Sequence, residues 1–134
     1  MPKRLNWDAR HSVGHTALDA QHEHFYALCN ALADCLDQPG AEARFDRLFA
    51  EMMAKAREHF AAEEALLAAA GYPHLDDQRS EQEEFAYLAE EIATTENFSR
   101  DELQAFVALW WAGHVIGAAR NYPAWLNGPT CASQ

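Results

Sequence analysis

The chain has 134 residues and a formal net charge of −11, so it is long enough for one domain with a single sizeable core. An acidic chain of this kind is repelled by nucleic acid and by anionic lipid, which excludes both as expected partners. The simplest interpretation of the charge is a solvated surface that keeps the protein soluble.

Cysteine usage and hydropathy predict the compartment. Three cysteines, Cys29, Cys35 and Cys131, form an odd set without paired spacing, and Cys29 falls on an apolar stripe as a small core residue. The N-terminus lacks the apolar core of a signal peptide, and no apolar run reaches membrane-spanning length. We therefore expect a cytoplasmic, soluble protein in a reducing environment, with no membrane partner.

The first helix is predicted from about Thr16 to about Gln38, after an irregular arm over residues 1–15 in which Trp7 is the expected anchor. Its apolar stripe has the alternating spacing of four and three that is typical of a helix packed in a bundle. The stripe consists of Leu18, His22, Phe25, Cys29, Leu32 and Leu36. One of its positions is therefore a histidine.

The second helix is predicted from about Ala41 to Ala70, with Gly71 as its C-terminal stop. Its stripe again alternates strictly and consists of Phe45, Phe49, Met52, Ala56, His59, Glu63 and Leu66. Two consecutive positions near the end of this stripe, His59 and Glu63, are polar.

The third helix is predicted from about His74 to Thr95. Its stripe consists of Leu75, Gln78, Gln82, Phe85, Ala89 and Ile92. Two glutamines therefore occupy positions that should face the core, early in the helix.

The fourth helix has the clearest start, because Ser99 and Glu102 form a capping box, and it ends near Tyr122. Its stripe consists of Leu103, Val107, Trp110, His114 and Gly117. On this pattern Trp110, and not its neighbour Trp111, packs in the core.

Short connections between these helices predict an all-α, up-down-up-down antiparallel four-helix bundle, with residues 1–134 as one domain. The alternating directions bring six polar side chains to one level of the core, and these are His22, His59, Glu63, Gln78, Gln82 and His114. Buried polar groups are costly unless something satisfies them. Chance placement of core histidines would not be expected to gather them at one level.

A metal ion would satisfy the histidines and the glutamate. His59 and Glu63 are four residues apart and project from one helix face, and His22 joins them from another helix. Two imidazoles and one carboxylate are the set used by non-heme iron centres with open positions. The alternative is a metal-free hydrogen-bonded network of the same residues.

The remaining histidines are expected at the surface or in loops, and these are His11, His15, His24 and His74. His15 and His74 lie near the same end of the bundle as the polar cluster, so either is an alternative ligand. Glu81 lies near Gln78 and Gln82 on the helix surface and is a third alternative.

These motifs together resemble the hemerythrin family, in particular the single-domain bacteriohemerythrins, over nearly the whole chain. The matching residues are Trp7, Val13-Gly14, Asp19-x-Gln21-His22, His59-Phe60-x-x-Glu63-Glu64, Gly71-Tyr72-Pro73, Phe85, Trp110-x-x-x-His114 and Tyr122. The resemblance implies a four-helix bundle with a non-heme di-iron centre that binds dioxygen reversibly. It also implies that the protein carries, stores, delivers or senses dioxygen.

The chain departs from the family's pattern at three ligand positions. The resemblance carries metal-ligand roles to His22, His59, Glu63 and His114. The two helix-three histidines of the family align with Gln78 and Gln82, and its second bridging carboxylate aligns with Ala119. Glutamine is a poor iron ligand beside histidine, so one iron per chain is expected rather than two.

The sequence therefore favours a hemerythrin-like iron protein that binds or senses dioxygen or another small ligand through an altered, mononuclear centre. With one iron, the family's two-electron dioxygen chemistry is lost. One alternative is a mononuclear iron enzyme that uses His22, His59 and Glu63, so enzymatic activity stays undecided. The other alternative is a metal-free bundle. Such a bundle would serve as an interaction module, or its enlarged pocket would bind another cofactor beside Gln78 and Gln82. Zinc is an alternative to iron, and the sequence does not give the oligomeric state.

Overall fold

A computed structural model describes residues 2–126 of the chain, which leaves Cys131 and the last residues of the predicted domain outside the described part. Its long helices are α1 (Thr16–Leu36), α2 (Glu42–Ala69), α3 (Leu75–Thr94) and α4 (Arg100–Asn121), and a short α5 covers Pro123–Leu126. Each predicted helix is confirmed, with ends that differ by no more than two residues. The short α5 was not predicted.

The four long helices form the predicted antiparallel bundle. Helix α1 packs mainly against α2 and α4, and α3 packs against the same two helices. The first turn of α4 meets the first turns of α2 through the Arg100–Asp46 ion pair at 2.9 Å, so these two helices start at the same end. None of the helices within residues 2–126 is long and apolar enough to cross a membrane.

The ends of the helices are set by local sequence. The Ser99 hydroxyl accepts the Glu102 backbone N–H at 3.1 Å and so caps α4, as predicted. Helix α2 stops at Gly71, whose φ of +80° is a left-handed conformation that costs glycine little. The Tyr72 backbone N–H then donates to the Leu67 carbonyl at 3.0 Å, which satisfies the end of the helix in a Schellman turn.

The N-terminal arm is more ordered than the sequence suggests. It contains a 3-10 turn at Ala9–His11, and Trp7 packs edge-on against Tyr26 of α1 with ring centroids 5.5 Å apart. His11 was expected at the surface or in a loop. It lies in this turn of the arm, and its side chain is only 13% exposed and contacts the Trp7 and Tyr26 rings. Trp7 thus serves as the predicted anchor.

One buried polar residue that sequence reasoning missed holds this arm in place. Gln104 of α4 is fully buried, accepts the Lys3 backbone N–H at 2.9 Å, and donates to the Lys3 carbonyl at 2.6 Å. It also donates to the Cys29 carbonyl at 3.1 Å. The amide is therefore satisfied by backbone groups, which makes it structural rather than part of a site.

The prediction that Trp110 is the core tryptophan was wrong. Trp111 is fully buried, stacked 3.8 Å from Phe25, while Trp110 is only partly buried. Helix α4 carries apolar residues on several faces, including the exposed Leu109 and Ile116. The apolar pattern therefore does not indicate a single face of α4 that must point to the core. Leu103 and Val107 of the predicted stripe are buried, but the later core positions of α4 are Trp111, Val115 and Ala118. Cys29 is buried as predicted, and burial raises the pKa of its thiol to about 12.

Candidate metal centre

Four side chains from three helices meet at one level of the bundle. His22 lies in the second turn of α1, His59 and Glu63 in the last part of α2, and His114 in the last part of α4. His22 and Glu63 are fully buried, and His59 is 3% exposed. The His114 side chain is 6% exposed. The antiparallel arrangement of the helices brings these positions together.

The three imidazoles surround one oxygen of Glu63. The distances from Glu63 Oε2 are 3.1 Å to His22 Nε2, 3.0 Å to His59 Nε2 and 3.3 Å to His114 Nε2. One ligand atom from each of the four residues can be chosen so that all lie within 4.8 Å of one another.

The other oxygen of Glu63 shares His114 as a neighbour and has two further partners. Glu63 Oε1 accepts the Gln78 amide at 2.6 Å and the Tyr122 hydroxyl at 3.0 Å. Gln78 also donates to the Tyr122 oxygen. His114 Nε2 lies 3.3 Å from each of the two oxygens. Three imidazoles therefore approach Oε2, whereas one imidazole and two neutral hydrogen-bond donors approach Oε1.

The electrostatics of this cluster favour an ionised glutamate. Burial alone would raise the pKa of Glu63, but the charge of His114 and the hydrogen bonds from His114 and His22 more than offset it, so the pKa lies well below its usual value. Burial lowers the pKa of His22 and favours its neutral form, the form that binds metals. Burial, followed by the charge of Glu63, raises the pKa of Tyr122, which keeps its hydroxyl a donor.

The donor set fits one cation. Ligand atoms around a first-row metal lie about 3.3 Å apart in a tetrahedral site. The ligand atoms here lie within 4.8 Å of one another, so the longest separation would have to shorten by about 1.5 Å. Two buried imidazole nitrogens of the cluster, His22 Nδ1 and His59 Nε2, have no hydrogen-bond partner among residues 2–126. His59 Nε2 lies close to Glu63 without hydrogen-bond geometry. An unpaired buried polar atom is costly, and a cation beside His59 Nε2 would remove that cost.

The residues at the other predicted ligand positions do not join this group. Gln78 is buried and contacts Glu63 through its amide N–H, which cannot bind a metal. Gln82 is partly buried, and its Nε2 has no partner within the described part of the chain. Ala119 lines a surface cavity beside Arg10 and His11.

The alternative ligands lie elsewhere. His15 caps the start of α1 by accepting the Leu18 backbone N–H at 3.3 Å, and the His74 side chain is 64% exposed. His24 is also exposed, as predicted. Glu81 is exposed and lines a cavity of about 430 Å³ between α3 and α4.

That cavity, the α3–α4 cavity, borders the cluster. His114, Gln78 and Tyr122 belong both to its lining and to the cluster around Glu63. Gly113 and Gly117 form part of its wall, and a Cβ atom at either position would meet no atom within 4 Å. The small residues around His114 therefore leave open space beside the site.

In the sequence, Tyr122 and Gln21 stand out only as residues that match the family, and neither is assigned a role in the site. Tyr122 donates to Glu63, and Gln21 Oε1 lies 2.5 Å from His59 Nδ1. Both contacts join residues far apart in the chain, so the periodicity of a single helix does not reveal them.

Comparison with known proteins agrees with this architecture. The family profile described as "Hemerythrin HHE cation binding domain" matches residues 13–126. The chain is 30% identical over 131 residues to a bacteriohemerythrin from Ralstonia nicotianae, which covers 93% of this chain and 92% of the relative. It is 29% identical over 122 residues to hemerythrin-like proteins of Naegleria gruberi and Naegleria fowleri, which covers 91% of this chain and 93% of each relative. No solved structure gives a significant match. The chain belongs to the hemerythrin family.

Proposed function

We propose that this chain is a hemerythrin-like iron protein with one metal ion per chain, held by His22, His59, Glu63 and His114. It binds dioxygen or another small ligand at that ion, for binding or sensing rather than for catalysis. The observation that carries the proposal is the asymmetry of Glu63. Three imidazole nitrogens lie within 3.3 Å of Oε2, whereas Oε1 has only the His114 nitrogen at 3.3 Å among these imidazoles and accepts hydrogen bonds from Gln78 and Tyr122.

This asymmetry argues against a second metal. A carboxylate that bridges two cations through both of its oxygens needs a free lone pair on each oxygen. Here the lone pairs of Oε1 accept an amide N–H and a phenol O–H, so they are already used. The family's pattern would place helix-three imidazoles at Gln78 and Gln82. Here Gln78 donates to Glu63 instead, and Gln82 Nε2 has no hydrogen-bond partner among residues 2–126.

Four protein ligands would leave open positions on iron, which commonly takes up to about six ligands. When bound, the iron would supply the ability to bind a small ligand. The protein supplies access, because the α3–α4 cavity reaches His114. The acidic side chains in its lining, Asp77 and Glu81, make the path unfavourable for anions, so we expect a neutral ligand.

A ligand titration tests this function. Protein loaded anaerobically with ferrous iron is titrated with nitric oxide and, separately, with dioxygen, while its absorption spectrum is recorded. We expect a new band with nitric oxide that saturates at one ligand per iron and is reversed when the gas is removed. The zinc-loaded protein is the matched control and should show no band.

Absence of any spectral change with nitric oxide would contradict the proposal, because it would mean that the metal has no open position. Continuous consumption of dioxygen in the presence of a reductant would instead favour an enzyme.

A further inference from the structure

We infer that Gln21 is a positioning residue of the metal centre, which holds the proton of His59 on Nδ1 and so presents Nε2 as the ligand atom. The inference rests on the proposed function. It starts from the contact between Gln21 Oε1 and His59 Nδ1 at 2.5 Å, which joins α1 to α2.

The chemistry of the two groups gives the contact its direction. An amide oxygen accepts hydrogen bonds and cannot donate them, so the nitrogen that faces it must carry the proton. An imidazole with its proton on Nδ1 has its lone pair on Nε2 once that nitrogen is deprotonated. His59 Nε2 lies 3.0 Å from Glu63 Oε2, on the side where the other imidazoles converge. The hydrogen bond therefore directs the ligand atom of His59 toward the centre.

Gln21 is distinctive among the described contacts of the centre. The Nδ1 atom of His22 is buried without a hydrogen-bond partner among residues 2–126. Among the same residues, His114 makes its hydrogen bond to Glu63 through Nε2. The remote nitrogen of each imidazole is the ring nitrogen that faces away from Glu63. Among residues 2–126, only the remote nitrogen of His59 is held by another side chain. Hydrogen bonds to the remote nitrogen commonly fix the orientation of metal-binding histidines and raise their basicity.

The position also allows a clean test. Gln21 is partly exposed and lines a cavity of about 410 Å³ between α1 and α2, together with the apolar atoms of Ala20, Phe25 and Ala62. A methionine has nearly the length of glutamine and lacks the amide oxygen, so Gln21→Met should fit this lining without repacking the core. Gln21→Glu keeps an acceptor at the same place.

The first measurement uses the metal-free protein. We expect NMR of the histidine rings to show a slowly exchanging Nδ1 proton of His59 in the parent and in Gln21→Glu, and its loss in Gln21→Met. The second measurement is the Zn²⁺ affinity, determined by competition with a chelator. Gln21→Met should weaken it by about 10- to 100-fold, the usual effect of losing such a partner, while Gln21→Glu should stay close to the parent.

Two results would overturn the inference. One is a parent protein in which His59 Nδ1 carries no proton, because Gln21 would then be donating. The other is a Gln21→Met variant with parental Zn²⁺ affinity. If the parent binds no metal while the Nδ1 proton still depends on Gln21, the proposed function fails and the positioning contact stands as a structural one.

Discussion

The variant Glu63→Gln should lose most of the thermal stabilisation that a divalent metal gives to the parent protein. A ligand that binds only the native state stabilises it by about 2.7–4.1 kcal/mol at 100 to 1,000 times its dissociation constant. For a chain of this length that corresponds to an increase in Tm of roughly 10 °C. Glu63 supplies the only carboxylate in the cluster, and a neutral amide is a poor substitute.

The measurement is the difference in Tm with and without Zn²⁺ for each protein, so that any effect of the substitution on the metal-free state cancels. Glu64→Gln is the matched control, since Glu64 is the next residue and forms a surface ion pair with Arg79 at 2.8 Å. Loss of such a pair costs about 0–1 kcal/mol and should leave the metal effect unchanged. A parental metal-induced shift in Glu63→Gln would contradict the assignment of Glu63 as a ligand.

The variant Trp111→Ala should destabilise the protein by about 3–5 kcal/mol, the usual cost of emptying a large aromatic site in a core. Trp111 is fully buried and stacks on Phe25 at 3.8 Å and on Phe60 at 5.6 Å between ring centroids. The stack lies directly beside the His59 and His114 rings. The measurement is the free energy of unfolding of the metal-free protein, determined with urea, because the metal-free protein separates the loss of packing from any change in metal binding.

Trp110→Ala is the matched control, because the two tryptophans are adjacent but only Trp110 is partly exposed. Trp110 stacks on His114 at 5.0 Å and packs against Phe85, so its loss should cost clearly less than that of Trp111. A larger loss of stability in Trp110→Ala than in Trp111→Ala would contradict the orientation of α4 described above.

The bundle and the composition of its polar level could be predicted because both follow from helical spacing. His59 and Glu63 recur at the period of α2, and antiparallel connections bring His22 and His114 to the same height. The orientation of α4 could not be predicted in the same way. Its apolar residues occur on several faces, so only packing against α1 and α3 decides that Trp111 points inward.

The details of the centre depend on contacts between distant residues. The sequence marks Gln78 as a lost ligand, but the structure adds that its amide N–H binds Glu63 Oε1 beside Tyr122. Gln104 lies off the predicted stripe of α4, and its burial depends on the arm that folds over it. Such contacts arise from the tertiary structure, which helical periodicity does not encode.

The most direct test of the one-metal centre is the number of iron atoms per chain after anaerobic loading with ferrous iron and removal of the excess, measured by elemental analysis against the protein concentration. We expect about one iron per chain, because Glu63 Oε1 is held by two donors and three ligand positions of the family are Gln78, Gln82 and Ala119. The combined variant Gln78→His, Gln82→His, Ala119→Asp should raise the number toward two. Two irons in the parent chain would contradict the mononuclear centre.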